Sequence, residues 1–115
     1  MTDELYRAML DDGIIVENGM AQFDDQAAMR NLMADITREL FRAREKFPGK
    51  NVTFAALVEE VGELATATFE ESRDRVREEA VQVAVMAMRM VLDGDHTFDA
   101  WRACKGLNRL GSAHK

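Results

Sequence analysis

The chain has 115 residues, enough to bury one hydrophobic core with little room for a second, so a site must share elements with that core or lie between copies of the chain. It is 47% hydrophobic and 31% charged, with one Pro, seven Gly and few aromatics, which fits an ordered helical protein and excludes a disordered tail. A net charge of −6 argues against the basic face that nucleic-acid binding requires and suits a site that holds cations.

In chain order, the first twenty-three residues carry the weakest pattern. Thr2 is placed to cap a short helix over "DELYRAML", and "DDGIIVENGMAQF" reads as an arm, so residues 1–23 are set apart from a helical domain over 24–111 and a tail at 112–115. From Asp24 to about Phe47 the apolar residues Met29, Leu32, Met33, Ile36, Leu40, Ala43 and Phe47 recur at three- and four-residue steps, which predicts an amphipathic helix. Pro48-Gly49 ends it. Thr53 is the expected N-cap of a helix to about Glu70, with Phe54, Leu57, Val58, Val61, Leu64, Ala65 and Thr68 as its core-facing stripe.

After a break near Ser72, a helix over about Asp74 to Leu92 is apolar on almost every side beyond Glu79. Such a helix is buried all round, which in a small chain calls for a second subunit. Its strongly apolar part, Val81 to Leu92, is too short to span a bilayer and contains Gln82 and Arg89, so no membrane partner is expected. "DGDHTF" is turn chemistry, and Thr97 is expected to cap a last short helix over "FDAWRACKGL". The lone Cys104 makes no internal disulfide, and with no basic-then-apolar leader a reducing cytoplasm is the expected compartment. His96 and His114 fall in a turn and a tail and receive no role; Trp101 reads as core or interface.

The acidic excess is local. From Glu59 to Glu79 there are eight carboxylates against three arginines. On a helical wheel with Glu59 at 0°, Glu63 falls at about 40° and Glu60 at about 100°, whereas the apolar stripe centres at about 200°. By that test the three glutamates point away from the core and read as a solvated face, although Ala56 and Ala67 beside them leave room for a close approach. Glu79 is different, because its neighbours along the helix are Val76, Val83, Met86 and Met90. A carboxylate in such a stripe needs a base, a hydrogen-bond network or a metal. A cation shared with Glu59, Glu60 and Glu63 would satisfy all four, and oxygen ligands without His or Cys select Mg²⁺, Mn²⁺ or Ca²⁺.

"FPGKNVTFAALVEEVGELATA" followed by "REEAVQVAVMAMRM" resembles the MazG-like all-α nucleoside triphosphate pyrophosphohydrolases, whose motif is EExxE, a spacer and ExxD on two antiparallel helices. The chain supplies Glu59, Glu60 and Glu63, fifteen intervening residues, then Glu79 and Gln82; the likeness covers about Asp24 to Leu92. It implies an antiparallel helical bundle completed by a homodimer or homotetramer. It also implies Mg²⁺, or Mn²⁺, on Glu59, Glu60, Glu63, Glu79 and Gln82, with Glu59 or Glu60 as general base. The implied reaction takes a nucleoside triphosphate to the monophosphate and pyrophosphate, a house-cleaning of the nucleotide pool. Gln82 departs from the family's Asp and removes one negative charge, so the alternative is a non-catalytic oligomer that keeps the nucleotide scaffold. Arg44, Lys46, Arg89, Lys105, Asn108 and Arg109 are the side chains available to hold phosphate.

Overall fold

The computed structural model describes residues 2–12 and 23–111; the rest of the expected arm, the 112–115 tail and His114 lie outside the described residues. Every element among the described residues is helical. In order they are α1 (Asp3–Asp11), α2 (Phe23–Lys46), α3 (Thr53–Glu70), α4 (Arg73–Leu92), a 3₁₀ turn (His96–Phe98) and α5 (Asp99–Cys104). None is long and apolar enough to cross a membrane.

The chain divides into two compact units, Met1–Ala34 and Asp35–Lys115. In the first, α1 starts as its sequence demands: the Thr2 hydroxyl accepts the Leu5 N–H at 3.1 Å, and Asp3 and Glu4 stand in the first turn, where the helix dipole favours acids. α1 buries no residue, and Met29, Leu32 and Met33 in the early part of α2 are exposed.

In the second unit α3 and α4 form an antiparallel hairpin. Ser72 caps α4 by accepting the Arg75 N–H at 3.2 Å, and at the opposite end Gly94 and Asp95 return to the start of α3. The later part of α2 packs on α4 through Leu40, Val81 and Val85, with Ile36 and Ala43 against them. These are the rear members of the stripe expected on α2, and Phe47 at its end is exposed.

Three expectations are corrected. Thr53 is not the N-cap of α3. That position is Val52, in the left-handed region at φ 56°, and the Thr53 hydroxyl donates to the Gly94 carbonyl at 2.7 Å. Capping comes from across the hairpin: Asp95 Oδ2 accepts the Phe54 N–H at 2.8 Å and the Thr97 hydroxyl accepts the Val52 N–H at 2.9 Å. Nor does Thr97 cap the last helix, because Asp95 Oδ1 accepts the Thr97 N–H at 2.9 Å and so caps the 3₁₀ turn. The third correction concerns α3, whose supposed core stripe is turned outward. Of that stripe Phe54, Val58, Val61, Ala65 and Thr68 are exposed and Leu57 and Leu64 only half-buried, whereas Ala67, on the side of the glutamates, is fully buried. Within one chain, Met88, Val91 and Leu92 of α4 are exposed.

The connection between α2 and α3 is anchored by ionic contacts. Arg89, buried on α4, donates through Nε to Asp93 at 2.8 Å and through its terminal nitrogen to the carbonyls of Phe47 and Gly49 at 2.8 and 3.2 Å. Arg44 reaches the same Asp93 at 2.7 Å.

Candidate metal centre

Because α3 turns its small-residue face inward, Glu60 is drawn toward α4, while Glu59 and Glu63 stay exposed. One carboxylate oxygen from each of Glu59, Glu60 and Glu63 lies within 4.8 Å of the others. Glu60, flanked one turn away by Ala56 and Leu64, is half-buried. The hairpin brings Glu79 of α4 opposite, in reach of Glu60 and Glu63. Glu79 is buried, as its apolar neighbours required.

The partner demanded for Glu79 is present, but for one oxygen only. Arg75, one turn earlier on α4, donates to Oε1 at 2.8 Å. Oε2 is buried without a hydrogen bond, and so is Glu60 Oε2 on the other helix. Carboxylate oxygens facing one another have no donor between them unless one carries a proton or a cation enters. Burial, then the charges of Glu63 and Glu79, push the Glu60 carboxyl up to about 7. Glu63 is also raised, first through its contact with Glu79. A divalent cation entering the cluster would compete with a proton held there.

Gln82 is placed differently from the four acids. Its amide nitrogen donates to Glu39 Oε2 at 2.9 Å, so only its carbonyl oxygen is left to face a cation. Glu39 is held in addition by Arg42, which donates to its Oε1 at 3.0 Å, and these bonds keep the Glu39 carboxyl below its ordinary range. The sequence reading did not single out Glu39 or Arg42. At i and i+3 on α2 they look like a surface ion pair, and only the position of Gln82 ties them to the site.

A cavity of about 650 Å³ adjoins the cluster. Glu59 and Glu60 form its acidic wall, Ala43, Phe47 and Met86 supply apolar surface, and Lys46 lies on its rim. Of the proposed phosphate ligands, Lys46 and Arg89 line it, but the Arg89 guanidinium is spent on Asp93 and two carbonyls, and Arg44 is paired with Asp93. Lys105, Asn108 and Arg109 are not among its lining residues. Lys105 sits over the exposed Trp101 ring at 4.8 Å, and the Asn108 carbonyl accepts from Arg102 Nε at 2.6 Å. His96 contacts Asp99 at 3.1 Å, away from the cluster.

Comparison of the chain with protein-family models, curated proteins and solved structures returns no match.

Proposed function

We propose that the chain is a divalent-cation-dependent nucleoside triphosphate pyrophosphohydrolase of the MazG-like kind, acting on the nucleotide pool of the cytoplasm. The observation that carries this reading is the pair of buried, donorless oxygens, Glu60 Oε2 and Glu79 Oε2, set on facing helices beside Glu59 and Glu63. Buried acceptors left without partners are destabilising by about 1–3 kcal/mol each, and more when charged, so four acids gathered in this way fit a bound Mg²⁺ or Mn²⁺. The adjoining cavity has the size of a nucleotide-scale ligand site and combines an acidic wall with an apolar one.

When bound, the divalent ion supplies charge neutralisation for phosphate oxygens and acidification of a water. The chain contributes the rest. Glu60 and Glu79 would hold the ion, with Glu63 and Glu59 completing the ligand set. Of these, Glu59 and Glu60 also line the cavity, where either can take the proton of the attacking water. Lys46, which lines the cavity with its ammonium over the Phe47 ring at 5.4 Å, is a cation suited to the distal phosphates. Apolar surface at Phe47 and Met86 suits the base or sugar. Gln82 adds no charge, and its amide is engaged by Glu39, which favours a second reading: a cation and nucleotide site with reduced or lost hydrolysis.

The outward stripe of α3, with Val91 and Leu92 of α4, supports assembly as a homodimer or homotetramer. Incubation with a panel of ribo- and deoxynucleoside triphosphates and Mg²⁺ or Mn²⁺ tests the activity. The expected result is pyrophosphate and monophosphate from at least one nucleotide, reduced at least a hundredfold by Glu60→Gln. Saturable nucleotide binding with no release selects the second reading, and neither binding nor release rules out both.

A further inference from the structure

Among the described residues Arg75 is the cation paired with the cluster, through Glu79, and it contacts three acids at once. Its Nε lies 3.1 Å from Glu71, one terminal nitrogen 2.6 Å from Glu78 and the other 2.8 Å from Glu79. Glu71 follows α3, whereas Glu78 and Glu79 are on α4, so the guanidinium is fixed from both sides of the Glu71–Ser72 link. Three acids therefore hold the guanidinium in place.

We propose that Arg75 is a positioning residue: it fixes Glu79 through Oε1, leaves Oε2 directed at Glu60 and Glu63, and thereby sets the affinity of the four carboxylates for a divalent cation. The support is the contrast between the two oxygens of one side chain. Oε1 is bonded, Oε2 is buried and has no donor, and Glu79 is 8% exposed against 50% for Arg75. A carboxylate this enclosed keeps one rotamer only while something outside the cluster holds it, and a guanidinium that gives one N–H to Glu79 while two further acids brace its other nitrogens does that better than a lysine's single point charge. Groups that orient metal ligands commonly change metal affinity by 10–100-fold when removed.

Charge and orientation make opposite demands here. As a charge alone, Arg75 repels a cation, so its loss would tighten binding; as an orienting group, its loss weakens binding. The inference rests on the cation-binding half of the function proposed above and not on hydrolysis. Calorimetric titration of the full chain with Mn²⁺ separates the two, using the wild type, Arg75→Lys and Arg75→Gln. Arg75 is half exposed and both replacements are good helix formers, so α4 persists; melting of the cation-free proteins checks it. Expected is about tenfold weaker Mn²⁺ binding by Arg75→Lys, which keeps the charge and loses the fork, and binding at least as weak by Arg75→Gln. Unchanged affinity in Arg75→Lys, or tighter binding in Arg75→Gln, overturns the positioning role while leaving the cation site standing. No saturable Mn²⁺ binding by the wild type overturns the site itself.

Discussion

Glu60 carries the clearest pH signature of any residue in the protein. Its folded carboxyl titrates at about 7 against an ordinary value of 4.5. Between those values the folded state binds the proton that the unfolded state releases, so stability falls as pH rises through the window and levels off above it. Glu63 adds to the same trend, and Glu79, facing both, is neutralised on one side only by Arg75. The cation-free protein is therefore expected to melt lower at pH 8 than at pH 5. Glu60→Gln should flatten that slope and raise the pH 8 midpoint by roughly 2–5 °C. Added Mg²⁺ should stabilise the wild type more at pH 8 than at pH 5. Calorimetric melting over pH 4.5–8 reads all three, and an unchanged slope in Glu60→Gln would show that the proton sits elsewhere. Gln82 also belongs to this scale: an Asp there would face Glu39, already a carboxylate, where the amide now donates.

At the scale of elements, the beginning of α3 is governed by residues more than forty positions away. Asp95 is fully buried and gives one oxygen to Phe54 and the other to Thr97, joining α3 to the 3₁₀ turn. Burial alone would raise its carboxyl, but the N–H groups of Phe54, Thr97 and Val52 and the Thr97 hydroxyl outweigh it and hold it below the ordinary range. Its contribution is thus present at neutral pH and lost as pH falls through the acid range. Asp95→Ala should destabilise by about 2 kcal/mol, the upper part of the range for a lost cap, because two segments lose their acceptor together; Asp95→Asn should retain part of it. Urea unfolding at pH 7 checks the order, and a null effect of Asp95→Ala would show that water replaces the carboxylate. Gly94 makes the approach feasible. It has φ +75°, and a Cβ there would meet the Leu110 carbonyl oxygen at 2.2 Å, so the backbone after α5 lies directly on this turn.

For the molecule as a whole, the exposed apolar surface decides the next question. Phe54, Val58, Val61 and Phe69 on α3 point outward together, a pattern expected where helices of another copy complete the packing. Sedimentation velocity at micromolar concentration should show a dimer or tetramer, and Val61→Asp should shift it toward the monomer while far-ultraviolet dichroism keeps its helical shape. A monomeric wild type would remove the subunit-burial argument.

The sequence alone determined the helices and most of their limits, because periodicity, Pro48-Gly49, the Thr2 cap and the break near Ser72 are local signals within one or two turns. It also marked Glu79 as a buried acid in need of a partner, from its apolar neighbours on one helix. Only the tertiary structure decided which side of α3 faces α4. The helical wheel took the larger apolar stripe as the core side, yet in one chain the close approach of two helices is made by the small residues around Ala67, and the bulky stripe is left outside. That choice brings Glu60 and Glu63 within reach of Glu79 and half-buries Glu60, while Glu59 and Glu63 keep the exposure expected of a solvated face. The physical reason is that periodicity reports which faces differ, whereas burial depends on what the chain packs against them; the same limit hid Glu39, Arg42 and the cap from Asp95, whose partners are distant in sequence and adjacent only in space.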